Sequence, residues 1–219
     1  MSPHDISRTL RFGAPLAQAR AVVILVHGRG SSASDIAGLA RALPDEGLAF
    51  LAPEATNNTW YPQRFLAPLA QNEPWLSGAL GVIDALVAGA VAAGVPPERI
   101  GLAGFSQGAC LVLEYAARRP RRYGFVAGLS GALIGPLGAA RDAGDLRRTP
   151  ILLGCAERDA HIPLEHVEHS AAVLGALDAD VTTHVFPGAS HTVFPEEIEW
   201  LRARAASLGE AHSSSSTFQ

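Results

Sequence analysis

The stretch Ile100-Gly101-Leu102-Ala103-Gly104-Phe105-Ser106-Gln107-Gly108-Ala109-Cys110-Leu111-Val112-Leu113 constrains this chain more than any other. A short apolar run leads into G-x-S-x-G, and a segment with apolar residues on several helical faces follows. A strand that turns this tightly into a helix forces the serine at the turn into strained backbone angles. Gly104 and Gly108 stand where a Cβ would collide with the neighbouring strand or helix. The Ser106 hydroxyl is then expected above the C-terminal edge of a sheet, with the first helical N–H groups beside it.

The rest of the chain supplies such a sheet. Ala21–Val26 is apolar and β-branched throughout, the pattern of a strand buried on both faces. Leu48 to Ala52, Phe125 to Leu129, Ile151 to Cys155 and Val181 to Phe186 repeat it, with residues 6–13 expected as an edge strand. Helices are expected over about 34–43, 73–93, 164–177 and 195–206, the first capped by Ser34 or Asp35. Strands alternating with helices predict an α/β fold with a mostly parallel sheet covered on both faces. Residues 53–72 hold Pro53, Asn57, Asn58, Pro62 and Pro68 and read as a long irregular loop, the kind that walls a site. Residues 134–148 read as a surface excursion.

Size and composition narrow the classes. A chain of 219 residues, 48% hydrophobic and 17% charged, suits one globular domain, expected over 1–208 with a disordered tail at 209–219. A net charge of −4 gives no reason to expect nucleic acid or an anionic membrane as partner. The N-terminus lacks the pattern of a signal peptide and no membrane span is expected, so the default location is cytoplasmic. Cys110 and Cys155 lie in apolar runs and read as buried thiols. A homodimer is compatible with a domain of this size, but no interface is specified.

A serine hydroxyl is a weak nucleophile until a base accepts its proton, and the base needs a third group to orient it. Asp159 lies four residues beyond the strand ending at Cys155, and His191 lies five beyond the strand ending at Phe186. Both therefore belong to the same sheet edge as Ser106, where open α/β sheets hold their ligands. The competing acids fit less well: Asp142 and Asp145 fall in the excursion, and Asp178 and Asp180 precede a strand. His161, His166 and His169 sit on a loop or helix after Asp159, His184 lies inside a strand, and His27 is expected to hold its own loop. The backbone N–H groups of Arg29 and Gln107 are the expected oxyanion donors. Trp60, Phe65 and Leu66 are the candidates for a substrate pocket. A rival reading takes Gly28-x-Gly30-x-x-Ala33 as a dinucleotide fingerprint, with Glu54 as its ribose acid.

Taken together, Val26-His27-Gly28-Arg29-Gly30, Asn58-Thr59-Trp60-Tyr61-Pro62, Gly104-Phe105-Ser106-Gln107-Gly108, Asp159-Ala160-His161-Ile162-Pro163 and Gly188-Ala189-Ser190-His191-Thr192 resemble the phospholipase/carboxylesterase family of α/β hydrolases. The resemblance implies the α/β-hydrolase fold with little or no cap domain. It also implies a serine hydrolase without cofactor or metal, acting on short or medium acyl esters or thioesters. It carries the nucleophile onto Ser106, the acid onto Asp159, the base onto His191 and the oxyanion donors onto Arg29 and Gln107. Ala160 stands where many members have proline, and Ser190 where a glycine is usual. The Arg29 loop and Trp60-Tyr61-Pro62 look more like the bacterial esterase branch than the protein-depalmitoylating one, which implies a small-molecule ester substrate. Two alternatives remain open at this point: C–C bond hydrolysis or lyase chemistry on the same three residues, and a binding protein that keeps them as a cavity.

Overall fold

A computed structural model describes residues 3–44 and 46–209. Seven strands, β1 (Leu10–Gly13), β2 (Ala21–Val26), β3 (Leu48–Ala52), β4 (Ile100–Phe105), β5 (Phe125–Leu129), β6 (Pro150–Ala156) and β7 (Asp180–Phe186), form one sheet. Their spatial order is β1-β3-β2-β4-β5-β6-β7; β1 runs antiparallel to β3 and every other pairing is parallel. The edge strand is shorter than the sequence predicts. Asp5 accepts the Ser7 N–H and winds residues 6–8 into a 3-10 turn, so pairing starts only at Leu10.

Among the described residues, five α-helices cover the two faces: α1 (Ala33–Ile36), α2 (Trp75–Ala92), α3 (Gln107–Arg118), α4 (Leu164–Ala176) and α5 (Pro195–Gly209). All six residues of β2 are fully buried, because alternate side chains feed opposite cores. Val22, Ile24 and Val26 pack with α2, α3 and α4, whereas Ala21, Val23 and Leu25 pack with α1 and α5. Each buried Val, Leu or Ile contributes roughly 1.5–3 kcal/mol, which is why the register of these strands cannot slip.

Two further expectations need correction. The helix predicted over 34–43 is α-helical only to Ile36 and continues as a 3-10 run over 37–42. Its cap is Ser32, whose hydroxyl accepts the Asp35 N–H while the Asp35 carboxylate accepts the Ser32 N–H. Only Ser32 has the extended backbone a cap requires; Ser34 and Asp35 lie inside the first turn. The excursion at 134–148 is not all surface, since Ile134 and Leu146 are fully buried. The fully buried Glu114 of α3 holds that segment by accepting from Arg141 at 2.7 Å and the Ile134 N–H at 3.0 Å, and it also accepts from Arg118 of its own helix at 2.7 Å. α2 matches a membrane span in length and composition alone. In this fold its Leu76, Ile83, Leu86, Val87 and Ala90 are buried in the core on one face of the sheet. The expected tail lies outside the described residues except for Gly209, which closes α5.

Candidate active site

β4 ends one residue before Ser106, and α3 begins one residue after it. Ser106 is held at φ 54°, ψ −114°, a left-handed conformation that costs a serine on the order of 1–3 kcal/mol. The turn is pinned by the Ser106 N–H donating to the Leu129 carbonyl of β5 and by Cys110 N–H donating back to the Ser106 carbonyl, both at 3.0 Å. A side chain at Gly104 would collide with the Gly108 carbonyl, and one at Gly108 with the Val26 carbonyl. The two glycines of G-x-S-x-G are therefore demanded by the close approach of α3 to β4 and β2.

The three residues predicted to converge do so. The Ser106 hydroxyl is 2.8 Å from His191 Nε2, and His191 Nδ1 is 2.7 Å from Asp159 Oδ2. A carboxylate accepts and cannot donate, so Nδ1 carries the proton and Nε2 is left as the acceptor for the serine. Asp159 has a fully buried side chain, and its Oδ1 accepts the N–H groups of His161 at 2.8 Å and Ile162 at 3.2 Å. These bonds fix the carboxylate in one rotamer. The His191 ring is further packed by Phe105 at 5.1 Å and His161 at 4.7 Å between ring centroids.

Arg29 and Gln107 also meet at this edge, and neither main-chain N–H has a hydrogen-bond partner among the described residues. Their side chains do something the sequence did not announce. The Gln107 amide accepts the Trp60 N–H and donates to the Tyr61 carbonyl, each at 2.9 Å. The Arg29 guanidinium donates to the carbonyls of Pro62, Tyr61 and Gln63 at 3.0, 2.8 and 2.7 Å. Both side chains thereby clamp the 53–72 loop against the serine turn.

Two buried histidines hold the other end of that loop. His27 Nε2 accepts the Ala55 N–H at 3.1 Å, leaving its Nδ1–H to donate to the Gly28 carbonyl at 2.8 Å. His4 Nδ1 accepts the Thr56 N–H at 3.2 Å, and its Nε2–H donates to the Trp60 carbonyl at 2.8 Å. Burial holds the pKa of both rings below the ordinary value, which favours the neutral form that accepts these N–H groups. The expectation that His27 serves its loop fits this placement. His4 was not anticipated, because nothing near it in the chain hints at a partner fifty residues away.

The pocket assignments are only partly met. A cleft of about 620 Å³ opens over Ser106 and His191, and Phe65 lines it with Tyr61, Phe105 and Ile162. Trp60 does not: it is fully buried, its indole N–H donates to the His27 carbonyl at 2.9 Å, and it packs between His4 and His27. Leu66 is half-buried and packs on the core beneath the loop. The dinucleotide reading also fails. Glu54 accepts the Ala33 N–H at 2.8 Å and an Asn58 amide N–H at 3.1 Å, so the acid assigned to a ribose instead occupies the start of α1. Both cysteines are unpaired, and burial pushes their thiols up to about 12 for Cys110 and about 11 for Cys155.

Glu197 supports the His191 loop from behind. Its Oε2 accepts the Phe194 N–H at 2.8 Å, three residues after His191, while the Ser130 hydroxyl donates to the Thr192 carbonyl at 3.0 Å. Gly154 is required beneath it, since a Cβ there would strike the carboxyl. Burial raises the Glu197 pKa from its ordinary 4.5 to about 7. A carboxyl with a raised native pKa stabilises fully below the unfolded value and loses that contribution as pH climbs from 4.5 through 7. The loss amounts to about 3 kcal/mol. His4 and His27, with lowered native pKa values, impose the opposite slope: stability falls as pH drops below 6.5. Glu197→Gln imitates the protonated carboxyl and keeps both histidines. Its thermal midpoint is expected to match wild type near pH 4.5 and to exceed it by about 6–12 °C near pH 8. A midpoint difference that stays constant across that range would refute the assignment.

Comparison with known proteins identifies the family. The model of the phospholipase/carboxylesterase family matches residues 11–204. A phospholipase/carboxylesterase from Dyadobacter fermentans of known structure is 39% identical and superposes with a TM-score of 0.89, covering 94% of this chain and 99% of its own. Acyl-protein thioesterase 1 of Gibberella zeae is 34% identical over 115 residues, 50% of this chain; the chain spans about half (48%) of that relative's length. A probable carboxylesterase of Arabidopsis thaliana, SOBER1-like, is 25% identical over 236 residues, covering 99% of this chain and 89% of its own. With the family match running from β1 into α5 and the strand order of an α/β-hydrolase sheet, the chain belongs to the phospholipase/carboxylesterase family.

Proposed function

We propose that this protein is a serine hydrolase that cleaves short- to medium-chain carboxylic esters, and thioesters of similar size, through an acyl-enzyme on Ser106. The observation that carries the reading is the unbroken line of hydrogen bonds from Ser106 Oγ through His191 to Asp159, at 2.8 and 2.7 Å. His191 Nε2 takes the hydroxyl proton as Ser106 attacks the carbonyl carbon. The resulting imidazolium is stabilised by Asp159, whose carboxylate is already oriented by two main-chain N–H groups. The N–H groups of Arg29 and Gln107 receive the oxyanion, each donor of this kind being worth roughly 10²–10³ in rate. The alcohol or thiol departs with the proton from His191, and water then repeats the sequence to release the acid. The names of the relatives, carboxylesterase and acyl-protein thioesterase, support the substrate class.

An open cleft lined by Phe65, Phe105 and Ile162 suits a flexible acyl chain of modest length. A fluorophosphonate probe followed by peptide mapping, combined with a series of 4-nitrophenyl esters of increasing chain length, tests the reading. Covalent labelling at Ser106 and turnover of the shorter esters are expected. Absence of both would favour a ligand-binding protein on the same scaffold, and labelling without any ester turnover would favour C–C bond cleavage.

A further inference from the structure

The cleft above Ser106 has a one-sided charge. Its charged lining residues are Arg29 and Arg64, with no aspartate or glutamate, although the whole chain carries a net charge of −4. The negative member of the site, Asp159, is buried behind His191 and shows its carboxylate to main-chain N–H groups, not to the cleft. Arg29 is occupied by three carbonyls. Arg64 is exposed, and its guanidinium has no hydrogen-bond, ion-pair or ring partner among the described residues.

Arg64 is not simply a residue on a loose loop. The fully buried Asn72 uses its amide on the two residues that present it, accepting the Gln63 N–H at 2.8 Å and donating to the Arg64 carbonyl at 3.3 Å. Ala67 N–H donates to the same carbonyl at 3.1 Å, and Arg29 holds the Gln63 carbonyl. The backbone under Arg64 is thus fixed from both sides, while the guanidinium at its end is left without a protein partner. An unpartnered guanidinium lining an acid-free cleft has the fork geometry that matches a carboxylate.

From this we infer that the ester cleaved here carries a second, free carboxylate, and that Arg64 selects it. The inference rests on the serine-hydrolase reading above and adds the charge of the substrate to it. The free carboxylate is a spectator: Arg64 binds it while Ser106 attacks the ester carbonyl, and no further bond is made or broken.

Two matched pairs of substrates test this, one for each side of the ester. Mono-4-nitrophenyl adipate against 4-nitrophenyl hexanoate puts the charge on the acyl side, and 3-carboxyphenyl butyrate against phenyl butyrate puts it on the alcohol side. After subtraction of the uncatalysed rates, the charged member of at least one pair is expected to have a kcat/KM roughly tenfold higher. High salt should shrink that ratio, because the guanidinium is exposed and screened. Arg64→Gln should bring the ratio close to one, and Arg64→Lys should restore part of it. A purely structural role for Arg64 would lower both members together and leave the ratio untouched. Neutral esters turned over with no preference in either pair, or a preference that survives in Arg64→Gln, would overturn the inference and leave the hydrolase reading standing. No turnover of any ester and no fluorophosphonate labelling would remove both.

Discussion

Ser106→Ala is expected to lower turnover of a 4-nitrophenyl ester by roughly 10³-fold or more, with thermal unfolding close to wild type. The loss is large because the remaining groups have nothing to act on: without Oγ, His191 Nε2 faces a methyl group and no acyl-enzyme forms. Stability should scarcely change. The turn is held by the main-chain bonds of Ser106 to Leu129 and Cys110, which alanine retains, and alanine at φ 54° bears the same strain as serine. Steady-state rates with mass spectrometry after fluorophosphonate treatment make the measurement. Turnover within tenfold of wild type, in a variant that takes up no label, would exclude Ser106 as nucleophile.

Asp159→Asn is expected to be nearly as damaging, at about 10³–10⁴ in kcat, for a different reason. Asparagine fills the same space, and its carbonyl can keep accepting from His161 and Ile162. Its NH₂ group then replaces Oδ2 opposite His191 Nδ1. A donor there forces Nδ1 to become the acceptor, so the ring proton moves to Nε2 and His191 no longer receives a proton from Ser106. The effect should fall on kcat much more than on KM, since Asp159 is buried away from the cleft. A kcat within tenfold of wild type in a folded variant would show that the carboxylate does not set the tautomer.

The sheet and the three converging residues were legible because the information is local. An apolar run such as Ala21–Val26 must lie between two cores whatever its neighbours, and G-x-S-x-G names its own turn. Asp159 and His191 could be ranked above other acids and histidines by their distance beyond a strand end, because all parallel strands finish on one edge. The loop at 53–72 was legible as important and illegible in detail. Trp60 and Phe65 are both aromatic and five residues apart, yet one is buried among His4 and His27 and the other faces the cleft. What separates them is a set of hydrogen bonds to residues about thirty to fifty positions away.

By itself, then, the order of amino acids determined that a parallel sheet would form and that a serine would stand at its C-terminal edge with an acid and an imidazole in range. Hydrophobic period, glycine placement and distance from strand ends are properties of short segments, and short segments carry them. Only the tertiary structure decided that Arg29 and Gln107 clamp the loop beside them, that Glu197 is forced into the apolar layer behind His191, and that Arg64 alone of the cleft's arginines is left without a partner. Hydrogen-bond partners and burial depend on which distant segments share a volume, and that is settled when the layers pack.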